Sequence, residues 1–265
     1  MDIKAVLIAV LVIAVIAVII GLVLGIAEKI FKVEVDEKEV AVREALPGSN
    51  CGGCGYAGCD AMAAAIAKGE APVSGCPVGG KPVAEKIAAI MGAEVGDVEK
   101  KVAYVKCDGS GKAKTVAYNY IGIQSCEAAS LMLGSGPYSC KYGCLGFGSC
   151  AKVCPQNAIR IIDKKAVVDE ELCIACGKCI KVCPHNLIEL VPASATYRVQ
   201  CSSHVMGKDV RDACTAGCIS CKICEKNCPS DAIHVVDNIA KIDYDKCTKC
   251  GICFSKCPRK IIKKY

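Results

Sequence analysis

Cysteine dictates what this chain can fold around: 24 of its 265 residues are Cys, most of them in Cys-x-x-Cys units that close on Cys-Pro. Three runs share one spacing: Cys173-x2-Cys176-x2-Cys179-x3-Cys183-Pro184, Cys218-x2-Cys221-x2-Cys224-x3-Cys228-Pro229 and Cys247-x2-Cys250-x2-Cys253-x3-Cys257-Pro258. Such spacing gathers sulfur around one small volume instead of joining distant strands. Aromatic residues make up only 5% and Trp is absent. Several small domains held by bound metal therefore fit better than one large apolar core.

At about 9% Cys a short secreted chain would be read as a disulfide scaffold. The N-terminus argues otherwise. Residues 5–27 carry no charge, and as a helix they would span roughly 34 Å, enough to cross a bilayer. A secretory signal has a shorter apolar region behind a basic start. Here the start holds only Asp2 and Lys4, so the small residues at Gly25-Ile26-Ala27 are read as part of an uncleaved anchor rather than a cleavage site. Lys29, Lys32, Lys38 and Arg43 follow the run while Lys4 alone precedes it, which leaves the cysteines on the cytoplasmic side of the inner membrane. In that reducing compartment metal ligation prevails over disulfides.

The expected organisation is an anchor at 1–27, a tether at 28–46, a 4Fe-4S domain at 47–92, a connecting region at 93–135, a two-cluster module at 136–192, a second connecting region at 193–213 and a second module at 214–265. The tether opens on Asp36-Glu37-Lys38-Glu39, a helix-start box. Behind Pro47-Gly48, Cys51, Cys54, Cys59 and Cys76 supply one complete ligand set, and the glycines among them let the backbone wrap tightly and aim N–H groups at sulfur. Helices are expected over 60–68, closed by Gly69, and 81–91, closed by Gly92, with a strand over 101–105.

The three regular runs match the bacterial ferredoxin pattern, and Cys140-x3-Cys144-x5-Cys150-x3-Cys154-Pro155 reads as a stretched fourth copy. Paired zinc sites would instead show two Cys-x-x-Cys units set apart. Each copy continues into an apolar pair: Ala158-Ile159, Leu187-Ile188, Ala232-Ile233 and Ile261-Ile262. Eighteen residues separate Cys154 from Cys173 and Cys228 from Cys247 alike, so the copies form two equal pairs. Each pair resembles a two-cluster ferredoxin, in which the fourth cysteine of a run serves the other half's cluster. That resemblance implies the sets Cys140, Cys144, Cys150 with Cys183; Cys173, Cys176, Cys179 with Cys154; Cys218, Cys221, Cys224 with Cys257; and Cys247, Cys250, Cys253 with Cys228. Strands are expected over 160–163, 166–169, 234–236 and 240–243. The fold class is thus α+β: a single N-terminal transmembrane helix, a small α-rich 4Fe-4S domain and two bacterial ferredoxin-like modules.

Cys107, Cys126, Cys201 and Cys214 remain, one pair ahead of each module, and the stretch before Cys107 resembles the one before Cys201. They fit either a sixth cluster with two ligands from each half or isolated buried thiols with an occasional disulfide. About 20 iron per chain would mean five clusters and about 24 a sixth.

The combination of anchor, Cys51–Cys76 domain and ferredoxin runs, in this order, resembles the B subunits of Rnf complexes, membrane-bound ferredoxin:NAD oxidoreductases that move sodium or protons. The resemblance covers the whole chain, with two modules where shorter members have one. It implies electrons arriving from reduced ferredoxin and passing toward membrane partners and a separate flavin- and NAD-binding subunit. The residues agree: no dinucleotide fingerprint follows a strand, and no ionisable group interrupts residues 5–27 to mark an ion path. Ala9, Ala14, Ala17, Gly21 and Gly25 on that run suit close packing against partner helices. A relay subunit of another membrane oxidoreductase and an iron-sulfur sensor are the alternatives.

The formal charge of +6 is not a nucleic-acid signal. Five oxidised clusters on thiolates contribute about −2 each and bring the total to roughly −4. Lys256, Arg259, Lys260, Lys263 and Lys264 form a C-terminal basic group that fits either an ordinary solvated tail or the steering of an acidic ferredoxin. His185, His204 and His234 form no catalytic constellation, and Tyr56, Tyr138, Tyr142 and Phe147 are read as shields for clusters.

Overall fold

The computed structural model describes residues 3–30, 36–96 and 99–265. The first helix, α1 (Ile3–Ile30), runs 28 residues. Side chains on it are described for Leu11 and 13–26, all exposed. That portion is shorter than a bilayer requires, and among the described residues no helix is long and apolar enough to cross a membrane.

Three helices build the first cysteine domain: α2 (Glu37–Ala45), α3 (Cys59–Ala67) and α4 (Gly80–Met91). Asp36 caps α2 by accepting from the Lys38 N–H, so the helix-start box does begin a helix. Gly92, left-handed at φ 68°, ends α4 where expected. Val42 and Leu46 pack against Met62, Ile66 and Ile87, with Cys59 among them.

Strand β1 (Lys101–Val105) is followed by short α5 (Cys126–Ser130), α6 (Ser149–Lys152), β2 (Ile159–Ile162), β3 (Lys165–Val168), α7 (Lys178–Lys181) and β4 (Ile188–Pro192). The second half repeats the plan with β5 (Tyr197–Val199), α8 (Gly207–Ala213), α9 (Ile223–Lys226), β6 (Ile233–Val236), β7 (Ile239–Ile242), α10 (Ile252–Lys256) and β8 (Ile262–Lys264). All sheets are two-stranded and antiparallel: β1 with β4, β2 with β3, β5 with β8 and β6 with β7. The hairpins turn on Asp163-Lys164 and Asp237-Asn238, each residue at positive φ as a type I′ turn demands.

Strands β1 and β5 lie in the stretches expected to be connections. Each pairs with the last strand of the module after it and so closes that module. The apolar pairs behind each Cys-Pro are all buried; Ile159, Leu187 and Ile188 join Val105 and Ala166 in the first core, and Ile233, Ile261 and Ile262 join Val199 and Ala240 in the second.

Between the modules lies a buried charge pair. The Arg198 guanidinium on β5, 0% exposed, meets Glu170 of the first module, with Nη2 3.1 Å from Oε2, and stacks over the Tyr104 and Tyr265 rings. Asp108 adds a second tie, accepting from Lys165 at 2.6 Å and Lys263 at 2.8 Å.

Candidate metal centres

Local turn chemistry shapes each run. The residue three positions after the Cys of every Cys-Pro is left-handed: Asn157, Asn186, Asp231 and Lys260, with φ of 50 or 51°. Pro cannot donate, so the chain turns past it and brings the next amides back to sulfur. The N–H groups of Ala158, Leu187 and Ala232 donate to the Sγ atoms of Cys154, Cys183 and Cys228 at 3.3, 3.4 and 3.3 Å. Such donors favour the thiolate. At Cys228, burial alone would raise the thiol, but these amides and the Ser230 hydroxyl hold it below its ordinary value.

Cys154, Cys173, Cys176 and Cys179 line one cavity, and the Ala103 N–H of β1 donates to the Cys173 sulfur at 3.3 Å. Cys218, Cys221, Cys224 and Cys257 line another. Cys253 is pushed up to about 11, first by burial and then by Cys247, Cys250 and Cys228, which surround it. In the first domain Cys54, Cys59 and Cys76 cluster, with Cys51 at the loop start. In both modules a cysteine from one run thus lies beside the three of the other.

One set differs. The cavity holding Cys144, Cys150 and Cys183 is completed by Cys126, while Cys140 lies in a separate cavity with Cys107, Cys201 and Cys214. Burial and then the charges of Cys144, Cys126 and Cys183 push the Cys150 thiol up to about 12. The expected grouping of Cys140 with Cys144 is corrected on this geometry, and Cys126 leaves the leftover four.

The reason lies in register. Gly146 is left-handed, as are Ala175, Ser220 and Lys249 at the same place in the other runs. Phe147 therefore occupies the position of Cys176, Cys221 and Cys250. The stretched run is a regular run that has lost its second cysteine. Cys140-x3-Cys144 repeats Cys214-x3-Cys218, a match the sequence already held. Cys107 and Cys140 stand 33 positions apart, Cys201 and Cys214 only 13. The additional chain in the first half carries α5, and the Tyr120–Phe147 ring contact at 5.2 Å helps hold it against the module. The Cys126 N–H is fixed by the Ser149 hydroxyl at 2.9 Å.

No disulfide joins any of the 24 cysteines. Several, including Cys179, Cys201 and Cys224, are raised to about 11 or 12 by burial and by one another. Burial and the mutual repulsion of their thiolates oppose ionisation of these rings, and a cationic iron-sulfur core would permit it. Among the described residues no three His, Cys, Asp or Glu come close enough to hold a single metal ion. The histidines serve structure: His185 reaches the carbonyls of Gly143 and Ser135 at 2.7 and 3.0 Å, and His204 that of Asp237 at 3.0 Å.

Fold and rings define a multi-site iron-sulfur protein of ferredoxin type. Residues 46–78 match the family model of an Fe-S cluster domain, 166–189 that of a 4Fe-4S binding domain and 217–262 that of a 4Fe-4S dicluster domain. Among the relatives, the B subunit of the ion-translocating oxidoreductase complex of Methanosarcina acetivorans is 47% identical over 91% of both chains. The B subunit of the Na(+)-translocating ferredoxin:NAD(+) oxidoreductase complex of Acetobacterium woodii is 46% identical over 98% of this chain and 78% of its own. The corresponding subunit of the proton-translocating complex of Clostridium ljungdahlii is 40% identical over 91% and 86%. The chain belongs to the family of B subunits of ion-translocating, Rnf-type oxidoreductase complexes, and is an iron-sulfur electron-transfer subunit of that family.

Proposed function

We propose that this chain accepts single electrons from reduced ferredoxin and relays them within a membrane complex that couples ferredoxin:NAD electron transfer to ion translocation. Thiolate-bound 4Fe-4S clusters supply the reversible one-electron chemistry. The chain's own residues set spacing and environment. Cys51, Cys54, Cys59 and Cys76 hold one site. The crossed sets Cys173, Cys176, Cys179, Cys154; Cys218, Cys221, Cys224, Cys257; and Cys247, Cys250, Cys253, Cys228 hold three more. Cys126, Cys144, Cys150 and Cys183 hold the fifth.

The observation that carries the reading is the close approach of successive rings. A Cβ at Gly53, inside the first domain's cysteine loop, would meet the Cys176 carbonyl oxygen at 2.9 Å. Only glycine lets the two loops touch there. Cys150 and Cys179, from neighbouring rings, share one core. At the far end Cys221 and Cys250 are exposed, which suits the second module to meet a soluble donor. Arg259 is tied to the carbonyls of Gly217 and Cys214 at 3.1 and 2.9 Å, and Lys263 to Asp108. The steering charges are therefore Lys256, Lys260 and Lys264.

Residues 5–27 anchor the chain in the cytoplasmic membrane, with its iron-sulfur domains on the cytoplasmic side. The uncharged run and the helical backbone of α1 support this. Flavin and NAD chemistry and the ion path belong to partner subunits. Two outcomes test the reading. Reduced ferredoxin should rapidly bleach the visible absorption of the anaerobic protein; clusters that respond to dithionite but not to ferredoxin would exclude the receiving role. The full chain should stay with membranes through alkaline carbonate extraction; release into the supernatant would remove the anchor.

A further inference from the structure

The cavity between the two modules belongs to neither module's own pair of rings. It measures about 340 Å³ and is lined by Cys107, Cys140, Cys201 and Cys214. Cys107 follows β1 and Cys201 follows β5; Cys140 and Cys214 each stand four positions ahead of a run's first cysteine. The backbone knits these segments together. Lys114 bridges Cys214 in antiparallel fashion, the Thr115 N–H donates to Ala213 at 3.0 Å, the Thr215 N–H to Ala113 at 2.9 Å and the Asp108 N–H to Gln200 at 3.0 Å.

We infer that Cys107, Cys140, Cys201 and Cys214 form a sixth 4Fe-4S ligand set, built across the junction, that joins the relay of the first module to that of the second. This rests on the reading that the other five rings hold such clusters.

Four observations carry it. The set contains two thiols from each half at matching places, so the near symmetry of the modules creates one site at their axis. Amides already aim at its sulfurs: Cys144 N–H donates to Cys107 Sγ and Cys218 N–H to Cys201 Sγ, both at 3.3 Å. Those two donors are themselves ligands of the neighbouring rings, so the site touches one ring in each module. The walls carry groups suited to an anionic cluster. Ser203 Oγ, in a side chain 3% exposed, is buried without a hydrogen-bond partner. Lys114, 4% exposed, donates to the carbonyls of Cys144 and Lys164 at 2.6 and 2.8 Å and lies over the Tyr138 ring. Among the described residues no carboxylate pairs with that ammonium, and a buried cation needs a counter-charge. Thiolates around an iron-sulfur core supply one.

An electron that crosses the junction leaves a low-potential iron-sulfur donor oxidised by one unit and reduces the next ring by one; no proton or bond changes hands. The rings of Cys144 and Cys218 each lend the set one amide, one from each module.

The test is iron and acid-labile sulfide on the anaerobically purified full chain. About 24 iron per chain are expected, and about 20 in the variant carrying Cys107→Ser, Cys140→Ser, Cys201→Ser and Cys214→Ser. If that variant fails to fold, native alkylation of the wild type decides: no thiol should react before iron is removed. A wild type at about 20 iron in which these four thiols alone alkylate would overturn the inference. Near-zero iron would instead sink the reading of all the rings. In the quadruple variant, reduced ferredoxin should rapidly bleach the clusters of one module only; full bleaching at the wild-type rate would overturn the bridging role.

Discussion

The two ferredoxin modules share one plan but solve one ligand problem differently. In the second module Cys221 comes from within the run; in the first, the same position is Phe147, and Cys126 arrives from added chain on α5. Cys221 is exposed, whereas Cys126 is half-buried behind Tyr120 and Phe147. A ring can thus keep its four thiols when one of them comes from another segment, provided that segment is pinned by packing. On the proposed ligand set, cluster assembly in the first module depends on the docking of α5.

Exchanging the two solutions should have the largest effect. Cys126→Ala and Cys221→Ala should each cost a cluster, up to about four iron per chain, and destabilise the module concerned. Adding Phe147→Cys to Cys126→Ala should restore the iron, because Gly146 already holds the backbone in register. No recovery in iron or in the EPR signal would mean that Phe147 is not the vacated ligand position.

The next largest effect concerns the tie between modules. Tyr104 on β1 and Arg198 on β5 occupy like places before Cys107 and Cys201, yet one is aromatic and the other a buried cation. Glu170→Gln leaves that cation without its partner and should cost about 2–3 kcal/mol, a fall of several degrees in Tm. The loss is smaller than for a wholly enclosed pair, since the Glu170 side chain is 29% exposed. An unchanged Tm would show that the stacked rings alone satisfy Arg198.

A smaller effect should attend Asp108→Asn, about 1 kcal/mol at neutral pH. Burial pushes this carboxyl up, but Lys165 and Lys263 outweigh it and hold it below its ordinary value of 3.8. A depressed folded value means the contribution is complete above that ordinary value and disappears only as pH falls through the lower one. The Tm difference between wild type and variant should therefore be equal at pH 8 and pH 5. A difference that faded by pH 5 would refute the assignment.

The smallest effect is kinetic. Lys256→Gln, Lys260→Gln and Lys264→Gln together should slow ferredoxin association several-fold at low salt and little at high salt. Arg259→Gln and Lys263→Gln should add little to the salt dependence, because their charges are engaged within the molecule.

Short-range geometry is written into the cysteine runs themselves. A Cys-x2-Cys-x2-Cys-x3-Cys-Pro run carries its own turn, its left-handed residues, its amides for sulfur and its buried apolar pair. The two hairpins and the helix ends at Asp36 and Gly92 were therefore legible. What tertiary structure decided were the ligands that travel: Cys126 rather than Cys140 beside Cys144, and the meeting of Cys107, Cys140, Cys201 and Cys214. The signal for the first was present in the match of Cys140-x3-Cys144 to Cys214-x3-Cys218, but spacing alone cannot say which distant thiol fills a vacant place. That depends on β1 closing against β4, β5 closing against β8, and the two leading segments pairing with each other. Those contacts join residues tens of positions apart, and their geometry is set by packing rather than by any local run.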